Sequence, residues 1–175
     1  TTSVALQLGE KGCVGKFELK ENEECFFLLE AEHTTHERKA EVHQFLQTSF
    51  ETTYNFWKQW VSKCTYQGPW REEVVRSSLA LKLLISHTYG SPVAAGTFGL
   101  PEAIGGNRNW DYRFTWIRDA AFTMYAFMEL GLYDEADKFM AWIKRQGEKG
   151  KMQLLYAVDG NTELQEEELN HLEGY

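Results

Sequence analysis

The sequence has no stretch of about 20 consecutive apolar residues, the length a helix needs to cross a bilayer, so no transmembrane helix is expected. It has no block of basic residues either. Lys and Arg number 18 against 26 Asp and Glu, and the net charge of −8 argues against nucleic acid or an anionic membrane as a main partner. The opening TTSVALQLGE lacks a basic n-region and an apolar h-region, so no signal peptide is expected. Cysteine is scarce and odd in number. Cys13, Cys25 and Cys64 lie far apart and read as free thiols of a reducing, cytoplasmic compartment, with a single bridge as the alternative. Neither a GxGxxG nor a GxxxxGK pattern is present, so Gly105-Gly106 reads as a turn, not a phosphate cradle. No Ser-His-Asp order with an elbow motif occurs. His33-x-x-His36 has metal-like spacing, but no nearby Cys or Asp completes it; it reads as a solvated helix start, and no metal or cofactor is expected.

What the chain does have is aromatic side chains. Six Trp are more than packing usually needs, and they come in a chain whose 43% hydrophobic content already suffices for a core. At 175 residues it is one domain, or one domain and a piece of another. The densest stretch runs from Ile104 to Asp119, IGGNRNWDYRFTWIRD. Here Trp110, Tyr112, Phe114 and Trp116 stand among Arg108, Asp111, Arg113, Arg118 and Asp119. Flat aromatic faces cover the C–H surfaces of a sugar, and charged hydrogen-bonding groups reach several of its hydroxyls. A binding site needs both kinds together on a loop held by a rigid scaffold.

The organisation changes near residue 33. Residues 3 to 31 read as short strands: Lys16 to Lys20 alternates with period two, Glu21-Asn22-Glu23 is a turn, and Cys25 to Leu29 is a buried run. Two or three strands are not stable alone, so this piece must pair or pack with something else. Residues 35 to 62 read as a long helix opened by a Thr34-x-x-Glu37 capping box. A second helix is expected from about 70 to 87, with Glu72 and Glu73 in its first turn, followed by an irregular loop to about Trp116. A third helix from about 118 to 130 leaves no polar face, which predicts an inner helix enclosed on all sides. Gly131 suits its C′ position, and Asp134 is placed to cap a fourth helix to about 145. Leu154 to Val158 reads as extended, and a last helix is expected from Glu163, with Glu166, Glu167 and Glu168 on a solvated face. Helices in succession behind a β segment make a mainly α fold.

Each candidate has a plain structural reading beside the functional one. Asp119 in a first helical turn can simply cap free N–H groups or meet the helix dipole. Arg118 can form an ion pair with Asp111 or Glu102, and Trp110 and Trp116 can be core. From the residues alone the reading is a helical carbohydrate-binding or carbohydrate-processing unit whose catalytic acid has no name.

Several stretches carry a family resemblance. They are Tyr66 to Glu72 (YQGPWRE), Arg76 to Lys82 (RSSLALK), Leu100-Pro101-Glu102, Ile104 to Phe122 and His171 to Tyr175 (HLEGY). In that order they resemble glycoside hydrolase family 15, the glucoamylase, glucodextranase and microbial trehalase family, over roughly residues 45 to 175. The resemblance implies a partial (α/α)6 toroid preceded by the last strands of a β-sandwich. Residues 1–32 would be the end of the sandwich, 33–64 a linker helix, and 65–175 the first part of a truncated catalytic barrel. It also implies that Arg118 and Asp119 bind the non-reducing-end glucose, with Tyr112 and Trp116 walling the same subsite. The loop Ala95 to Gly99 departs from the family's more usual Thr- and Ser-rich version.

Family members invert at the anomeric carbon with two glutamates, one protonating the leaving oxygen and one activating water. Both are expected beyond Tyr175, so no catalytic residue is expected in this chain. The expectation is therefore part of an α-glucoside hydrolase acting on starch-like, dextran-like or trehalose substrates, inactive alone. The alternative is a non-catalytic carbohydrate-binding or helical interaction module. The two differ in one observable. An open barrel piece leaves an apolar face of the third helix uncovered, and a closed module covers it.

Overall fold

A computed structural model describes residues 2–10, 12–29, 42–106 and 108–171. The chain divides into two compact units, residues 1–49 and 50–175. The Thr34–Glu37 capping box, the His33/His36 pair, the expected boundary after residue 32 and the residues 172–175 of the HLEGY motif lie outside the described residues.

In the first unit, β1 (Gln7–Gly9) and β2 (Gly12–Val14) pair antiparallel, with Leu8 opposite Cys13 and Gly9 opposite Gly12. A hairpin this tight needs glycine, and Gly12 has φ +143°. The expected strand at Lys16 to Lys20 does not form. The Lys20 C=O accepts from Glu23 N–H and the Lys20 N–H donates to Glu23 Oε2, both at 3.0 Å, so a turn captures the groups a ladder would need. Asn22 supplies the left-handed residue of that turn at φ 68°. The run from Cys25 to Leu29 forms an isolated bridge, Thr2 to Phe27, beside which Ser3 N–H donates to Phe26 O at 3.2 Å, and the Phe17 and Phe27 rings meet at 5.8 Å.

The second unit is built on helices. These are α1 (Val42–Ser62, from Phe50 onward), α2 (Arg71–Leu83), α3 (Ile117–Glu129) and α4 (Tyr133–Lys149). A two-residue strand β3 (Thr115–Trp116) leads into α3 and pairs antiparallel with β4 (Leu155–Tyr156), the extended piece the sequence predicts. Trp60 of α1, Met124 and Phe127 of α3, Ala136, Phe139 and Trp142 of α4, and Tyr156 form one buried cluster. Its rings interlock edge to face, Trp60 on Phe127 at 5.9 Å and Trp142 on Tyr156 at 5.5 Å.

The turn between α3 and α4 follows from one residue. Gly131, at φ +78°, donates to Met128 O at 3.0 Å, and Leu132 N–H donates to Phe127 O at 2.8 Å; this is a Schellman end with glycine at C′. Leu132 is then buried. Asp134 does not cap α4. The helix starts a residue earlier, at Tyr133, and Asp134 instead accepts from Lys63 Nζ.

Two further expectations are corrected. First, α3 is not enclosed on all sides. Ala120, Met124 and Phe127 are buried, while Phe122 is 70% exposed, Tyr125 61% and Met128 42%. The described helices pack against one side of α3 only. Second, no helix starts at Glu163. Asn161 and Glu163 N–H groups donate to the Asp159 and Asn161 side chains in successive Asx turns, each at 2.9 Å, a geometry able to cap a helix, but no helical bonding follows it. Residues 161 to 169 carry no regular element, and Glu166 to Glu168 are solvated.

Candidate functional site

The stretch between α2 and α3, expected as an irregular loop, is a folded-back hairpin. Ala94 N–H donates to Phe114 O, Ala95 to Tyr112 O, Gly99 to Trp110 O and Glu102 to Arg108 O, at 2.8–3.0 Å. The tip closes with Gly106 N–H on Ala103 O at 2.8 Å, and Gly105 takes φ +72°, so the Gly-Gly pair is a turn. Between the second and third bonds the first leg advances four residues and the second only two. The extra residues bulge, and the Phe98 ring lies under the Arg113 guanidinium at 4.8 Å, a cation–π contact.

The second leg turns at residues 112–113, where Arg113 N–H donates to Asp111 Oδ1 at 2.9 Å. Trp110 and Tyr112 turn to the side where Trp116 sits, and their rings contact it at 6.1 Å (88°) and 5.8 Å (44°). Trp116 is 9% exposed and its indole N–H donates to Asp111 O at 2.9 Å, so this ring is fixed at both ends. One edge of the Tyr112 ring lies against Gly99. A Cβ there would fall 2.8 Å from its ring, which gives the Ala95–Gly99 loop a physical reason for its glycine. Trp110 remains 44% exposed while its N–H donates to Glu102 Oε1 at 2.8 Å.

Asp111 and Arg113 form a bidentate pair, Nε to Oδ1 at 3.0 Å and Nη2 to Oδ2 at 2.7 Å. Hydrogen bonding from Arg113 holds the Asp111 carboxyl below the ordinary carboxylate range. Asp111 is therefore not available to Arg118. Glu102, the other expected partner, is engaged by Trp110 and stands 4.0 Å from Arg108. Arg118 pairs instead with its neighbour Asp119, Nη2 to Oδ2 at 3.1 Å, with the side chains 65% and 33% exposed. Asp119 does not cap α3, whose first turn has no side-chain cap.

The structure thus brings Tyr112 onto Trp116 and Arg118 onto Asp119. Trp116 directly precedes α3, so both pairs belong to one junction, the end of β3 and the first turn of α3. Flat apolar faces next to an exposed charged donor and acceptor are a combination that can take a polyhydroxylated ring. Behind it, Thr115 is fully buried and its hydroxyl has no hydrogen-bond partner among the described residues. A separate hollow of about 230 Å³ is lined by Gln146, Lys149, Gln153 and Tyr156, and by none of these four residues. No group of three metal-ligating side chains occurs among the described residues. The Asp111–Arg113 and Trp110–Glu102 contacts escaped the sequence reading. Opposite charges two residues apart in an alternating stretch were the available signal for the first.

Residues 68–175 match the family described as Glycosyl hydrolases family 15. A trehalase of Mycobacterium tuberculosis is 35% identical across the whole of this chain and 26% of its own length. Trehalases of Thermoplasma acidophilum and Mycolicibacterium smegmatis are each 43% identical over 129 residues, 71% and 70% of this chain and 22% and 19% of their own lengths. The chain therefore spans about a quarter or less of these relatives. No solved structure matches it.

Proposed function

The chain belongs to glycosyl hydrolase family 15, and from that membership we propose that it is the glucose-holding part of a trehalase-type α-glucoside hydrolase. The observation that carries the proposal is the junction at the start of α3, where the exposed Arg118 and the half-buried Asp119 pair within three residues of Trp116, which packs against Tyr112. In this reading the half-buried Tyr112 ring covers the apolar face of the terminal glucose, and the buried Trp116 holds that ring in place. Arg118 donates to, and Asp119 accepts from, its hydroxyls. Trehalose is the proposed substrate because the relatives quoted above are named for it. The compartment is proposed to be cytoplasmic, in keeping with three free cysteines.

The chemistry is proposed to lie elsewhere in a longer polypeptide. An inverting site needs a protonated acid and an ionised base about 6.5–9.5 Å apart. Asp111 is kept ionised by Arg113 and makes a poor proton donor. Asp119 and Glu102 are committed to Arg118 and to Trp110. We read the four helices as an open segment of an (α/α)6 toroid and residues 1–32 as the end of a β-sandwich. The uncovered Phe122–Tyr125–Met128 stripe on α3 favours an open segment over a closed, non-catalytic module. The test is an assay of the isolated chain and of the full-length protein against trehalose, maltose and isomaltose. Turnover by the full-length protein alone is expected. Turnover by the isolated chain that disappears in Glu102→Gln or Asp111→Asn, with folding intact, would place the chemistry inside these residues and overturn the proposal.

A further inference from the structure

We infer that Trp110 is the platform for the second sugar ring of the substrate, and so a specificity-determining residue distinct from the four that hold the terminal glucose. The inference rests on the α-glucoside hydrolase reading and extends that same site outward along the hairpin.

Three observations carry it. The first is continuity. Tyr112, Trp116 and Trp110 form one run of touching rings, with Trp116 in the middle and buried, and Trp110 at the end away from Tyr112. The second is exposure. Trp110 is 44% exposed, although an indole costs more to leave in water than most side chains. The third is rigidity. The indole N–H is already bonded to Glu102 Oε1 at 2.8 Å, and its backbone carbonyl accepts from Gly99 N–H at 3.0 Å. An aromatic ring pinned by its polar edge offers its face alone, and pays little conformational entropy when a ligand settles on it. The exposed face suits the C–H surface of a pyranose ring. Glu102 is a positioning residue in this scheme: it acts through the indole and touches no sugar.

A second glucose unit adjacent to the terminal one is the class of ligand that fits. A substrate with a single sugar ring has nothing to place on Trp110. The discriminating measurement therefore compares trehalose with α-glucosyl fluoride, which carries one ring and a small leaving group. The full-length protein and its Trp110→Ala, Trp110→Phe and Glu102→Ala variants are assayed with both. In Trp110→Ala, the ratio of kcat/KM for trehalose to kcat/KM for the fluoride is expected to fall about tenfold, mainly through KM. Phe is expected to restore most of the ratio, and Glu102→Ala to lower it by a smaller factor. A Trp110→Ala variant whose two specificity constants fall together, or neither of which falls, overturns the platform while leaving the hydrolase reading standing. A wild-type protein that turns over neither substrate overturns the hydrolase reading and this inference with it. If Trp110→Ala misfolds, Trp110→Leu and Glu102→Ala carry the ratio test, since each is expected to lower the ratio and an unchanged ratio in both overturns the platform.

Discussion

Lys82 Nζ and Glu135 Oε1 stand 2.8 Å apart inside the helical unit, with side chains only 14% and 5% exposed. The same carboxylate oxygen accepts from the Trp60 indole at 2.9 Å, so one buried charge ties α1, α2 and α4 together. Removing one partner of such a pair leaves an uncompensated charge in a poor solvent for it. Lys82→Met is expected to destabilise the chain by about 3–5 kcal/mol, whereas replacing both partners with apolar residues is expected to cost much less. Denaturant midpoints of the single and double variants check this. A single variant as stable as the wild type would mean that water reaches the pair.

Thr115 makes the opposite case. Its hydroxyl is buried without a partner among the described residues, so it carries a desolvation cost with no return. Thr115→Val keeps the shape and removes the cost. A gain of about 1 kcal/mol is expected, the lower end of the cost of an unsatisfied buried group. A loss of stability on urea titration would show that the hydroxyl is satisfied.

The Asp111–Arg113 pair sets an acid limit on the hairpin. The folded-state pKa of Asp111 lies below its unfolded value, so its contribution is complete above the ordinary carboxylate pKa. It is lost as pH falls through the lowered folded value, in the region below about pH 4. Fluorescence of the Trp110–Trp116 cluster is expected to change across that window in the wild type. Asp111→Asn should lack the transition; an identical acid profile in both proteins would assign it to another group.

Arg118 is expected to matter for substrate more than for the fold, since its side chain is largely exposed. In the full-length protein, Arg118→Ala should lower kcat/KM for trehalose by about 1.5–3 kcal/mol of binding, the worth of a charged hydrogen bond. Thermal stability should barely move, because exposed pairs contribute about 0–1 kcal/mol. An unchanged specificity constant would remove Arg118 from the site.

The bare face of α3 gives a prediction for the isolated chain. Phe122, Tyr125 and Met128 should make it bind a hydrophobic dye and self-associate. Replacing Phe122 and Tyr125 with Glu should reduce both in the isolated chain. The same changes in the full-length protein should abolish folding if later helices cover this face. A full-length double variant with native stability would count against the toroid.

Local pattern alone was enough to foresee several features. The acids Glu72 and Glu73 marked the start of α2, an apolar run marked α3, apolar spacing marked α4, Gly131 marked the turn between the last two, and the run from Trp110 to Asp119 marked the candidate site. These follow from interactions within a few residues: acids at a helix start, helical periodicity and a left-handed glycine. Tertiary contacts decided the rest. Nothing near Ala94 in the sequence says that its N–H will meet Phe114, twenty residues on, so the hairpin could not be read from one leg. Arg118 had three acids within reach in sequence, and its partner was settled only when the hairpin gave Asp111 to Arg113 and Glu102 to Trp110. The largely apolar helix α3 implied burial on every side, yet burial depends on neighbours, and the described neighbours cover one face. The acidic segment after Glu163 had helical composition, but it is short and almost wholly exposed, and a short helix without an apolar face packed on a neighbour is marginal in water.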